Sequence, residues 1–284
     1  MTTTRSIPGI NGLDTLIPPV DPAKHPYFSD AIATHPFSPT ATAFSWANAW
    51  WCAEASLLAY HAPAVAIDIF KVGGAKTVQG FSALGKIDAY VISNDDMIAV
   101  VFRGTQLEFD SLQIVYDWIT NLDAWFSAND NFSGKAHRGF LKGALAMQSE
   151  IKGYLSNLQL TKQRPVWFTG HSQGGALAAI SALLNENCQG VYTFGAPRVG
   201  NSEFANEFNK QAWRICNQSD PVPSSPPEFW DYRHVGNLVA FTSANSVHIG
   251  GETNTPAAYN VINHAPVAYS NLIWHQMTAT RVAE

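Results

Sequence analysis

The chain has 284 residues, long enough for a large core and within the range of one α/β domain. Apolar residues make up 46% and charged residues only 14%, with a net charge of -5 and no cluster of lysine and arginine, which excludes nucleic acid as an expected partner. Cys52, Cys188 and Cys216 lie far apart with no Cys-x-x-Cys, which removes zinc and thioredoxin readings, and no stretch of eighteen apolar residues predicts a transmembrane helix.

The first forty residues carry Pro8, Pro18, Pro19, Pro22, Pro26, Pro36 and Pro39. That density blocks helices and central strands, so residues 1–40 are expected to form an extended arm on the body. The opening Met-Thr-Thr-Thr-Arg-Ser-Ile-Pro-Gly lacks the unbroken apolar core of a signal peptide. The default expectation is therefore a cytoplasmic location, with export by another route or a processed mature form as the alternatives.

An aromatic-rich helix is predicted over 43–60, followed by a turn at Pro63. Strands are then predicted over 64–70, 77–84, 89–93 and 97–102, punctuated by Gly73-Gly74, Gly85 and Asn94-Asp95-Asp96. Phe140, Leu141, Leu145, Met147, Ile151 and Leu155 recur at helical spacing, so 137–158 reads as an amphipathic helix. Pro165 to Gly170 is a short apolar strand that runs into His171-Ser172-Gln173-Gly174-Gly175 and an alanine-leucine helix. Strands over 190–194 and 212–216 follow, then a β excursion over 230–243. The alternation of strands and helices predicts a largely parallel sheet with helices on both faces.

Gly170-His171-Ser172-Gln173-Gly174 is Gly-x-Ser-x-Gly in the strand-turn-helix context of a nucleophile elbow. The sharp turn presents the serine oxygen at a helix N-terminus, where the dipole favours negative charge. A serine hydroxyl needs a base, and the base needs an orienting acid. In this arrangement the chain order is serine, acid, histidine. Asp220, held on a loop by Pro221 and Pro223 just past the 212–216 strand, is the expected acid, ahead of Asp231. Histidines before the acid drop out, and His171 reads as a packed structural residue. Of His234, His248, His264 and His275, His264 stands in a loop just before Pro266 and the last helix, and is the expected base. Attack on a carbonyl also needs two donors for the oxyanion. The Gln173 N–H is one. Thr105, at the end of the strand that stops at Gly104, supplies the other.

Val101-Phe102-Arg103-Gly104-Thr105, His137-Arg138-Gly139-Phe140, Thr169 to Gly175, Thr193 to Asn201, Asp220-Pro221-Val222-Pro223, and His264 followed by Tyr269 occur in a fixed order along the chain. In this ordered set the sequence resembles the lipase class 3 family, which includes fungal triacylglycerol lipases. The resemblance runs from about residue 43 to residue 275 and implies an α/β-hydrolase fold, mostly parallel in its central sheet with helices on both faces, while chain length predicts a single domain over 1–284. The resemblance implies a catalytic triad of Ser172, Asp220 and His264 and an oxyanion hole of Thr105 and Gln173, and the chemistry of such a triad needs no metal or cofactor. The implied substrate is a lipid or other ester at an oil–water interface, and phospholipase or feruloyl-type esterase activity and a non-catalytic lipid- or partner-binding protein are the rivals. The aspartate that often anchors the oxyanion residue in fungal members is matched by Asn121, with Asp117 as the alternative. The resemblance further implies a lid. Leu112, Val115, Ile119, Leu122 and Phe126 share one helical face, and the lid is expected within 106–120.

Overall fold

The computed structural model describes residues 21–83, 87–105, 125–217, 219–243, 246–251 and 258–280. The chain opens with turns and a 3₁₀ segment, Tyr27–Asp30, and then forms helix α1 (Trp46–Leu58) and helix α2 (Pro63–Val72). Strands β1 (Thr77–Ala83), β2 (Ile87–Ser93) and β3 (Ile98–Phe102) follow, then the short hairpin β4 (Phe126–Asn129) and β5 (Phe132–His137). Helix α3 (Arg138–Gln159), strand β6 (Val166–His171), helix α4 (Gln173–Leu183) and strand β7 (Cys188–Phe194) form the centre. Helix α5 (Ser202–Glu207), strands β8 (Ala212–Asn217), β9 (Asn237–Ser243) and β10 (Ser246–Ile249), and helix α6 (Pro266–Thr280) complete it.

Among the described residues, eight strands make one sheet in the order β1-β2-β3-β6-β7-β8-β9-β10. The neighbours from β3 to β9 run parallel, and the outer pairings are antiparallel. A parallel sheet covered by helices on both faces must be apolar on both faces. The strands show it residue by residue. Ala99 and Val101, Trp167, Tyr192 and Phe194, and Trp213 and Ile215 point to the core shared with α1, α6 and the N-terminal segment. Ile98, Val100 and Phe102, Val166 and Phe168, Val191 and Ala212 point to the core under α3 and α4. On the first face Trp167, Tyr192 and Trp213 form a ladder across β6, β7 and β8. Ring centroids are 5.8 Å apart for Trp167–Tyr192 and 4.8 Å for Tyr192–Trp213, with interplanar angles of 28° and 27°.

Helix α1 is capped by Ser45, whose side chain accepts from the Asn48 N–H at 3.3 Å. Its residues from Asn48 to Leu58 are all buried, which matches a sequence apolar nearly all round. The buried Glu54 on α1 receives the Ser270 hydroxyl from α6 and lies 3.1 Å from His25 Nε2. The three groups tie the N-terminal segment to two helices. No helix among the described residues is long and apolar enough to cross a membrane.

Three expectations meet a different outcome here. The run over 64–70 is helix α2, not a strand. Pro63 sits in its first turn, where its fixed φ suits a helix, and Ala66 and Phe70, one turn apart, are the buried face. The β excursion over 230–243 narrows to Asn237–Ser243, preceded by a 3₁₀ turn at Glu228–Trp230. The described part of the N-terminal arm does not simply lie on the surface. Tyr27 and Phe28 are fully buried, and Phe28 packs on Trp51 with ring centroids 5.5 Å apart.

Candidate active site

The candidate residues leave the sheet at the carboxyl edge of its parallel strands, where open α/β sheets place their ligand sites. Ser172 follows β6, Asp220 follows β8, and Thr105 follows β3. Ser172 has φ 57° and ψ -129°, left-handed backbone for a residue with a Cβ. The fold holds it there. Its N–H bonds the Phe194 carbonyl at 2.9 Å, and its carbonyl accepts the Gly175 N–H at 3.0 Å. The turn closes only because Gly170 and Gly174 have no side chains. A Cβ on Gly174 would stand 2.3 Å from the Phe102 carbonyl oxygen, and one on Gly170 2.3 Å from the Gly174 carbonyl carbon.

His264 ends the 3₁₀ segment Val261–His264, just before α6. Asn260 caps that segment through the Ile262 N–H at 3.0 Å. The Asn260 N–H bonds the Ser219 carbonyl at 2.7 Å, and the Asn217 side chain donates to the Asn263 carbonyl at 3.3 Å. The loops carrying Asp220 and His264 are thus laced together. The His264 ring bridges the other two residues, with Nε2 2.9 Å from Ser172 Oγ and Nδ1 2.8 Å from Asp220 Oδ2. The Asp220 carboxylate accepts from Nδ1, which leaves Nε2 to accept from the serine hydroxyl. All three side chains are buried. The structure therefore brings together the three residues singled out in the sequence. His234, His248, His275 and Asp231 stand elsewhere. The His234 Nε2 donates to the Pro223 carbonyl at 2.8 Å, His248 is on β10, and His275 is on α6.

Asp220 has two further partners. Its Oδ1 accepts the Val222 N–H at 2.9 Å, and its Oδ2 accepts the Tyr269 hydroxyl at 2.6 Å. Tyr269 in turn accepts the Asn217 N–H at 3.1 Å. Burial, and then the negative charge of Asp220, hold the Tyr269 phenol well above its ordinary range, so it remains a donor. Gly195 lies beneath this cluster with φ 56°, and a Cβ there would meet Asp220 Oδ2 at 2.8 Å and His264 Nδ1 at 3.1 Å.

His171, next to the serine, faces the other way and supports the histidine from behind. Its Nε2 donates to the His264 carbonyl at 2.7 Å, and its Nδ1 accepts from the Tyr60 hydroxyl at 2.8 Å. Burial, reinforced by the His264 ring beside it, pushes its pKa well below the usual value. A neutral imidazole with one donor and one acceptor fits those two partners.

Thr105 lies beside the elbow, and its hydroxyl donates to the Gln173 side-chain oxygen. The two expected oxyanion donors are thus adjacent. The expected lid over 106–120, together with Asp117 and Asn121, falls outside the described residues. Tyr269, Tyr60 and Gly195 are absent from the set of site residues read from the sequence. The only signal for Tyr269 was its place after His264 in the family pattern. Nothing local ties its hydroxyl to a carboxylate so far upstream.

Residues 99–230 match the family model described as lipase (class 3). A secreted mono- and diacylglycerol lipase of Fusarium solani is 36% identical over 128 residues, covering 42% of this chain and 38% of that protein. A lipase of Rhizomucor miehei is 33% identical over 158 residues, covering 50% of this chain and 41% of that protein. The chain thus spans about two fifths of the length of these relatives. A solved triacylglycerol lipase, whose catalytic centre is formed by a serine-protease triad, superposes with a TM-score of 0.58 at 27% identity, covering 68% of this chain and 81% of that one.

Proposed function

We propose, from the premise that residues 99–230 belong to the lipase (class 3) family and that the chain has the α/β-hydrolase fold, that this protein is a serine ester hydrolase acting on acylglycerols. The observation that carries the reading is the His264 ring, within 2.9 Å of the Ser172 hydroxyl on one side and 2.8 Å of the Asp220 carboxylate on the other.

In the proposed reaction His264 Nε2 takes the hydroxyl proton as Ser172 Oγ attacks the acyl carbon. The imidazolium that forms keeps its Nδ1–H on Asp220, whose carboxylate offsets the new charge. The tetrahedral oxyanion is received by Thr105 and by the Gln173 N–H, at the N-terminus of α4, where the helix dipole adds to the stabilisation. His264 then returns the proton to the departing alcohol, and an acyl-enzyme on Ser172 remains. A water deprotonated by His264 attacks that ester, and Ser172 is regenerated as the acid leaves. The whole chain is proposed to act as one domain.

The test is a panel of p-nitrophenyl esters from two to eighteen carbons, with emulsified triolein and phosphatidylcholine beside it. Ser172→Ala is expected to lose at least about a thousandfold in kcat and to fail to react with a fluorophosphonate probe that labels the parent. Absence of ester turnover and of probe labelling in the parent protein would favour a lipid-binding role without catalysis.

A further inference from the structure

We infer that the turn at Glu228–Trp230 is an anchor for an uncharged lipid surface, an acylglycerol droplet. This deepens the hydrolase reading and rests on it for its purpose. Phe229 and Trp230 are 81% and 51% exposed, side by side in an edge-on pair with centroids 5.4 Å apart. Large apolar rings are seldom left in water without a use when they are contiguous. A third exposed ring belongs to Trp125. Trp125 leads into β4, and its neighbour Phe126 stacks on Tyr232 with centroids 4.2 Å apart.

The charges around the pair are matched within the protein. The Arg198 guanidinium lies 3.2 Å from Glu228 and that of Arg233 lies 3.6 Å from Asp231. Arg198 also donates to the Ser224 and Pro226 carbonyls at 2.6 Å and 3.0 Å, and Arg233 donates to the Glu228 and Tyr232 carbonyls at 2.9 Å. What the turn offers a partner is therefore ring surface with balanced charge, which suits a lipid phase better than the polar rim of a protein interface. The net charge of -5 opposes an anionic layer and favours a neutral one.

The position has a functional logic. The turn lies in the loop that leaves Asp220, and Val222 of that loop bonds the Asp220 carboxylate. Arg198 pins the loop between the two. A droplet seated on Phe229 and Trp230 therefore meets the loop that leads away from the acid of the candidate site.

The experiment compares adsorption to triolein emulsion for Ser172→Ala and for the same protein carrying Phe229→Ser and Trp230→Ser. Depletion from the aqueous phase is measured, so the result does not depend on turnover. The double change is expected to weaken adsorption at least tenfold. In the Ser172 protein it should lower triolein hydrolysis by a similar factor while hydrolysis of dissolved p-nitrophenyl butyrate stays within twofold. Unchanged adsorption overturns the anchor, as does adsorption that requires phosphatidylglycerol vesicles. Failure to hydrolyse p-nitrophenyl butyrate before any change at 229 and 230 refutes the hydrolase reading separately.

Discussion

At the scale of single residues, Tyr269 is the side chain whose contribution can be read most directly. Its hydroxyl donates to the same Asp220 oxygen that receives His264 Nδ1. Removing that donor with Tyr269→Phe leaves the carboxylate charge less spread and more attractive to an imidazolium. It also frees the carboxylate to turn away from His264, so kcat/KM on a soluble ester is expected to fall about threefold, the equivalent of about one neutral hydrogen bond. Steady-state kinetics on a soluble ester check it, and an unchanged kcat/KM would mean that the ring only fills space. Ser172, Asp220 and His264 could be found in the sequence because chain order and loop context prune the candidates. Tyr269 and Tyr60 could not, since their roles depend on contacts across the fold. His171 was legible as a packed residue from its place beside the elbow serine, but its two partners were not.

At the scale of elements, the elbow is a close-packed junction between β6, α4 and the end of β3. Gly174→Ala forces a Cβ to within 2.3 Å of the Phe102 carbonyl oxygen, so one of the two backbones must shift. The variant is expected to lose about 2–3 kcal/mol or more of stability in urea unfolding, together with ester turnover, because the same shift moves Ser172 and Thr105. Retention of both would show that the junction can relax. The central strands were readable from short apolar runs bounded by turns, and α3 from its helical periodicity. Helix α2 was misread because Val65, Ile67 and Ile69 have strand preference, whereas packing through Ala66 and Phe70 decides. The hairpin β4–β5 escaped notice. Its residues, Phe126–Asn129 and Phe132–His137, are mostly polar or small, and its pairing carries a bulge between Ser127 and Asn129 that breaks the alternation.

At the scale of the whole molecule, the N-terminal segment is part of the core. Phe28 lies among Trp50, Trp51 and Phe70, so Phe28→Ala should cost about 3–5 kcal/mol, seen as a lower urea midpoint with an unchanged slope. Buried histidine shapes the response to acid. His171 has a folded pKa well below 6.5, so the unfolded chain binds the proton first as pH falls. Its contribution to stability is complete above about pH 6.5 and is lost below it at up to about 1.4 kcal/mol per pH unit. His234, held low by burial and then by Arg214, acts in the same direction. Urea titrations at pH 7.5, 6.5 and 5.5 should show a flat upper interval and a falling lower one, and equal stability at 6.5 and 5.5 would contradict this assignment. The ladder of Trp167, Tyr192 and Trp213 bears on how such titrations can be followed. Stacked chromophores with nearly parallel planes at these separations couple their electronic transitions, so the near-ultraviolet ellipticity of the native protein reports the juxtaposition of three adjacent parallel strands. Acid or urea that loosens the helices while leaving the sheet closed would dim the far-ultraviolet signal first, and the protein would announce through its own optics which layer yields.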